Sequence, residues 1–378
     1  MCYSKHLSKK KINTSQKRKQ NKNNNKMTKQ ITEQNFFQII KQKVFSSLSF
    51  KEKIELINNE TRKHIYRIFF HFNTFESMKY EGIDYSIIPD EMNYQEYQSL
   101  VNEFCRKQTK QNEWKELFQS PNDFQKEFVD KEWIREWNEV EQRLIDKIHR
   151  DVRRIIDPLF KNQNKHLIAM KRILFLIVRA NKDLYYIQEL SYLFIPIYKL
   201  YYEVYKDESI ENMNNSYEIT KYECLTYRLG CYLYQIVLQH HLLRVGLEYR
   251  CCMNFEELMK QCDQELYEHC QQNDFTSMLY AYELLATLFK EFLSNDRLMI
   301  LLDRIYCSEK LSFSFVFLVS LSMYHRNEMM KVIGTDLFIE FRNYFNFKDD
   351  DEFMTILKNA EEIYCKYEES GLLKQFIN

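Results

Sequence analysis

Five glycines and four prolines in 378 residues leave this chain little with which to make turns. Gly and Pro punctuate a backbone more strongly than any other residues, so their scarcity favours long uninterrupted helices over a turn-rich β fold. Apolar residues make up 45% of the sequence, with 28 Phe and 27 Tyr, which is ample material for a core. The expected class is all-α. At this length the chain holds one large domain or two ordinary ones.

Charge is balanced in total and uneven in place. The first 30 residues carry ten Lys/Arg and no Asp/Glu, which leaves 44 basic and 54 acidic residues in the other 348. Residues 1–34, rich in Lys, Asn and Gln, read as a disordered basic tail. Lys9-Lys10-Lys11 and Lys17-Arg18-Lys19 suit a nuclear address, a contact with anionic lipid, or a plain solvated tail. The ten cysteines contain no Cys-x-x-Cys, and reduced, packed thiols are expected. His240-His241 reads as surface or core rather than as a metal pair. The longest weakly interrupted apolar run, Leu311 to Met323, falls short of the ~20 residues that span a bilayer. A soluble, intracellular protein is expected. No metal, nucleotide or cofactor motif is visible, and there is no Gly-rich phosphate loop. No cofactor and no nucleic-acid partner are therefore expected.

Helical spacing begins near Phe36 and runs through Leu56. It recurs in Thr61 to Phe70 at Ile65, Ile68 or Phe69, and continues to Phe72. Glu81 to Asp90 reads as a loop and Tyr94 to Phe104 as a helix. From Trp133 the stripe is clean: Trp133, Trp137, Val140, Leu144, Ile148, Val152 and Ile155 share one helical face. Arg150, Arg153 and Arg154 then point away from it, and Asp157-Pro158 stops the helix. A further helix spans His166 to Arg179. Asp183 is a suitable N-cap for the next one, placing Gln188 in its second turn, with Pro196 kinking rather than ending it. Asn212 to Ser216 reads as a turn, and helical pattern follows from about Glu218 to Val245. Met259 to His269, Tyr280 to Phe292, Phe313 to Met323 and Phe353 to Tyr364 each read as one helix.

Within this plan the stretch from Ile148 to Gln188 has distinctive spacing. Ile148-x-x-Asp151-x-x-Arg154 is followed by Tyr186-x-Gln188, with Gln188 lying 34 positions after Arg154. This pair resembles the twin signature of TBC-domain proteins, activators of Rab GTPases. Further blocks are similar to that family: Thr61 to Phe70, Gln264-Glu265-Leu266-Tyr267, Tyr280-Ala281-Tyr282 and Leu302-Asp303. Leu284 and Leu302 stand where the family has tryptophans at core positions. The extended C-terminal part and Ile155 after Arg154 look most like the TBC domain family member 13 branch. The resemblance implies a single large helical domain of a dozen or more helices over residues 47–345, with residues 346–378 a helical extension packed on it.

The resemblance also implies a chemistry. Rab GTPases hydrolyse GTP slowly because charge building on the phosphate lacks a partner and the attacking water is poorly held. An arginine supplied from outside is worth about 10³ to 10⁵ in rate, or ~4 to 7 kcal/mol of barrier. Its fork of donors suits phosphoryl oxygens, and a Gln can orient water through both ends of its amide. Arg154 and Gln188 would take those two roles, with Asp151 and Tyr186 holding them. The partner would be a Rab-family GTPase in its GTP state, and the location cytoplasmic or peripheral on endomembranes. Read without the family, these residues need no such role. Cations in a last helical turn suit the macrodipole, and a Gln near a helix start is ordinary.

One departure bears on activity. Glu189 follows Gln188 where the family usually has Gly, and Ser191 stands where it has Asn. A carboxylate facing a triphosphate charge at ~6 Å and an effective dielectric of ~20 would cost about 3 kcal/mol. The alternatives are thus an active GTPase activator, a weakened TBC domain that only binds a GTPase, or a plain helical scaffold. The absence of a fixed 30–45-residue repeat argues against the last.

Overall fold

Leu144, Ile148 and Val152 are buried on one side of a helix and Ile155 is buried just past its end, while Arg150 and Arg153 on the other side, and Arg154 after it, are exposed. The computed structural model describes residues 62, 66, 139–161, 163–180, 186–206 and 220–373. The basic tail, the segments read at Phe36–Leu56, Glu81–Asp90 and Tyr94–Phe104, the tryptophans Trp133 and Trp137, the cap at Asp183 and the turn at Asn212–Ser216 lie outside these residues. Fourteen α-helices are bounded among the described residues, with one two-strand hairpin.

The first group is α1 (Glu139–Arg153), α2 (Pro158–Lys161), α3 (Asn164–Ala180), α4 (Leu190–Tyr205) and α5 (Lys221–Ile236). Helix α3 packs against α1 and α5, and α4 lies along α5. Gly230 of α5 permits this approach, since a Cβ there would sit 2.6 Å from Ile177 Cδ1 of α3. The same helices are joined by a buried fork: Arg172 Nε and Nη2 donate to Glu223 Oε1 and Oε2 at 2.7 and 2.6 Å. His166, Tyr198, Tyr202 and Tyr222 stack edge to face beside it.

After α5 the chain continues as a π-helical turn, Val237–His241, then as strands β1 (Arg244–Val245) and β2 (Glu248–Tyr249). The reading of unbroken helix to Val245 is therefore corrected. Gly246 has φ of 66° at the first central position of a two-residue turn, as a type II′ hairpin demands. His241 is buried and its Nε2 meets the Leu285 carbonyl oxygen at 2.8 Å.

The rest of the chain forms α6 (Arg250–Cys262), α7 (Gln264–Gln272), α8 (Ser277–Tyr280), α9 (Tyr282–Ala286), α10 (Asn295–Cys307), α11 (Phe313–Tyr324), α12 (Arg326–Met329), α13 (Thr335–Asn343) and α14 (Asp350–Glu369). Helix α11 is the hub, packed against α6 and α14 and buried from Phe313 to Ser322. Its hydroxyls are satisfied internally: Ser314, Ser320 and Ser322 donate to the carbonyls of Leu311, Ile356 and Leu318. No single described helix is long and apolar enough to cross a membrane.

Two expected helices are broken. Asp263 interrupts Met259–His269 by capping α7, its carboxylate accepting the Leu266 N–H at 3.0 Å. Its other oxygen takes Arg326 Nε at 2.6 Å, which fixes the break from 63 residues away. In Tyr280–Phe292 the helix ends at Ala286, and Leu288 and Phe289 adopt φ of 46° and 64°. Both side chains are fully buried, and that burial holds a conformation non-glycine residues rarely take. Leu284 and Leu302 fill core positions. Arg62 Nε and Nη2 fork onto Asp303 at 2.9 and 2.8 Å, and Tyr66 Oη donates to the same carboxylate at 2.8 Å.

Candidate functional site

Helix α1 ends at Arg153, before the expected stop at Asp157. Its last turn tightens: Arg154 N–H bonds the Asp151 carbonyl at 3.0 Å and Ile155 N–H the Val152 carbonyl at 3.2 Å. Ile155 turns into the core, which swings Arg154 and Ile156 outward at 62% and 80% exposure. Asp157 then caps α2, accepting the Leu159 N–H at 3.1 Å, with Pro158 at the first helical position where it loses no bond.

Asp157 does more than cap. Its Oδ2 receives Lys199 Nζ of α4 at 3.0 Å and has Lys290 Nζ at 3.8 Å. The loop after Arg154 is thus pinned to two other elements. Burial pulls the Lys290 ammonium down, against the pull of Asp157 in the other direction. The left-handed turn at Leu288–Phe289 is what delivers Lys290 and Glu291 here.

Gln188 lies in the turn before α4, not in the second turn of a helix, which corrects the expectation. The helix starts at Leu190, and its first two N–H groups, Leu190 and Ser191, reach back three residues to the Ile187 and Gln188 carbonyls at 3.3 and 3.4 Å. Ser191 is buried and its hydroxyl also donates to the Gln188 carbonyl at 3.1 Å. Gln188 itself is exposed, and its side chain makes no hydrogen bond among the described residues. Pro196 sits inside α4, which continues to Tyr205.

Asp151 and Tyr186 bring the two segments together. The Tyr186 hydroxyl is buried beside the Asp151 carboxyl without a hydrogen bond of standard geometry. Burial and the neighbouring carboxylate push that phenol far up, so it stays protonated. Burial also raises the Asp151 carboxyl, while the Tyr186 hydroxyl and Arg154 oppose it. Arg154 Nη1 stands 3.8 Å from Asp151 Oδ1.

Two neighbours escaped the sequence reading. Tyr192, one turn into α4, faces Glu291, Asp151 and Arg154, and is pushed up to about 12 by burial and Glu291. Tyr282 Oη donates to Glu189 Oε1 at 3.2 Å. The Glu189 carboxylate is therefore engaged inside the chain. Tyr192 lies four residues after Gln188, so α-helical spacing alone would have put it near the site; nothing local announced Tyr282, which is 93 residues from Glu189.

The described residues contain no cluster of His, Cys, Asp or Glu that could hold a metal ion, and their cysteines are free thiols. An exposed arginine and an exposed glutamine, each on a short braced turn, are groups that can act only on something brought to them.

Residues 94–330 match the Rab-GTPase-TBC domain, RabGAP-TBC. The chain belongs to that family. Two solved structures are similar to this TBC protein. The Ypt/Rab-GAP domain of Gyp1p has a TM-score of 0.56 and 14% identity, over 87% of this chain and 93% of that one. The Chlamydomonas flagellar RabGAP TBC domain has a TM-score of 0.41 and 13% identity, over 81% of this chain and 96% of that one. No curated protein matches the sequence. The all-α architecture of this TBC domain agrees with its family, whose general function is activation of Rab GTPases.

Proposed function

We propose that this TBC domain accelerates GTP hydrolysis by a GTP-loaded Rab-family GTPase through Arg154 and Gln188, supplied in trans. The observation that carries this is the exposure of both side chains, Arg154 on the turn after α1 and Gln188 on the turn before α4, with the buried Tyr186 hydroxyl of the second segment beside the Asp151 carboxyl of the first. Arg154 meets the charge that develops on the phosphate, Gln188 holds the attacking water, and Asp151 and Tyr186 brace them. An external arginine is worth about 10³ to 10⁵ in rate.

The engagement of Glu189 by Tyr282 favours the active reading over the weakened one, because this carboxylate already has a partner of its own. The sequence blocks around Ile155 and the C-terminal part support kinship with the member 13 branch. The basic tail, residues 1–34, is proposed to add contact with anionic endomembranes, where Rab proteins reside.

Single-turnover GTP hydrolysis by a panel of Rabs, with and without this protein, tests the proposal. At least one Rab is expected to respond, and Gln188→Ala should lower its rate more than its complex formation. No response across the panel, together with no nucleotide-dependent binding, overturns it.

A further inference from the structure

Among the described residues the side chain of Gln188 has no hydrogen bond to steady it, so its direction depends on how firmly its turn is held. One end of that turn is braced by Tyr186 against Asp151. The other end is Glu189, whose carbonyl accepts two N–H groups from the first turn of α4, Tyr192 at 3.0 Å and Leu193 at 3.1 Å. Glu189 makes no side-chain cap bond to its own helix. Its carboxylate reaches across the fold to the Tyr282 hydroxyl instead. Tyr282 opens α9 and stacks on Tyr249 at the end of β2, with ring centroids 4.7 Å apart and planes 20° apart. The hairpin therefore backs the tyrosine that holds the turn.

We propose that Tyr282 is a positioning residue for Gln188, acting through Glu189, with Tyr249 as its backstop. The catalytic part of this rests on the role proposed above for Gln188; the tether itself does not. A hydroxyl donating to a carboxylate is among the stronger neutral-to-charged bonds. Burial and the Glu189 carboxylate raise the Tyr282 phenol, which keeps its proton in place to donate. In this arrangement the bulk and charge of Glu189 serve to fix the turn, at the cost of the close backbone approach a glycine would permit.

Tyr282→Phe keeps the stacked ring and removes the hydroxyl. The amides of Leu190, Ser191 and Tyr192 should then exchange with solvent about tenfold faster, with the thermal midpoint lowered by no more than a few degrees and unfolding still cooperative. With a responding Rab, the maximal single-turnover rate should fall by about tenfold while the half-saturating concentration stays the same. Glu189→Gln retains an oxygen that accepts from Tyr282 and should keep both properties near wild type, whereas Glu189→Ala should behave as Tyr282→Phe does.

In a Gln188→Ala background, Tyr282→Phe should lower the rate no further. A second tenfold loss there would show that Tyr282 acts independently of Gln188 and overturn the proposal. Unchanged amide exchange in Tyr282→Phe would overturn the tether itself. Wild-type hydrolysis by Gln188→Ala with loosened amides in Tyr282→Phe would be a different failure, removing the role of Gln188 while leaving the tether in place.

Discussion

Arg154 has a single weak ion pair among the described residues, Asp151 at 3.8 Å, and little of its side chain is buried. An exposed pair of this kind contributes under about 1 kcal/mol. Arg154→Ala should therefore leave the urea midpoint within error of wild type. The same substitution should abolish activation of a responding Rab, and Arg154→Lys should be nearly as damaging because a point charge cannot replace the guanidinium fork. Circular-dichroism melts beside single-turnover hydrolysis separate the two effects. A large loss of stability would show that Arg154 holds the fold instead.

Asp303 joins elements rather than residues, since Arg62 and Tyr66 reach α10 from the far end of the sequence. Asp303→Ala would remove the carboxylate that takes both the Arg62 fork and the Tyr66 hydroxyl, a loss of about 2 to 4 kcal/mol by urea denaturation. A loss below 1 kcal/mol would mean that Arg62 finds water or another partner. At this scale the sequence was legible where a helix buries one stripe, as Leu144, Ile148, Val152 and Ile155 do. It was illegible where a distant group decides the break. The cut at Asp263 depends on Arg326, and the left-handed turn at Leu288–Phe289 depends on a pocket assembled from other helices. Asp303 carries the same lesson: its block and that of Arg62 and Tyr66 were each readable as motifs, while the pairing between them was not. Arg154 and Gln188 could be picked out only by paired spacing, because an exposed arginine and glutamine carry no periodic signal of their own. The hairpin was missed because its turn offers one glycine, Gly246, within an otherwise helix-like run.

Several histidines are buried throughout the molecule. Burial lowers His149 to about 3 and His166, His240 and His241 to about 4. These groups fold neutral and would take up protons near pH 6.5 once unfolded. A folded pKa below the unfolded one means that stability is complete above about 6.5 and is lost as pH falls towards 4. Each histidine adds at most about 1.4 kcal/mol per pH unit across that window. The urea midpoint should therefore drop steadily from pH 7 to pH 5, and a flat profile would mean that these rings are reached by water in the folded state. A different consequence follows from Asp157, gripped by Lys199 and approached by Lys290 on the loop beyond Arg154. A loop already clamped loses little conformational freedom when a GTPase arrives, so encounter and productive docking should merge into one kinetic event. Stopped-flow mixing with a Rab should give an observed rate that climbs in proportion to concentration without levelling off. Lys199→Ala should introduce a ceiling, the signature of a segment that must first find its shape.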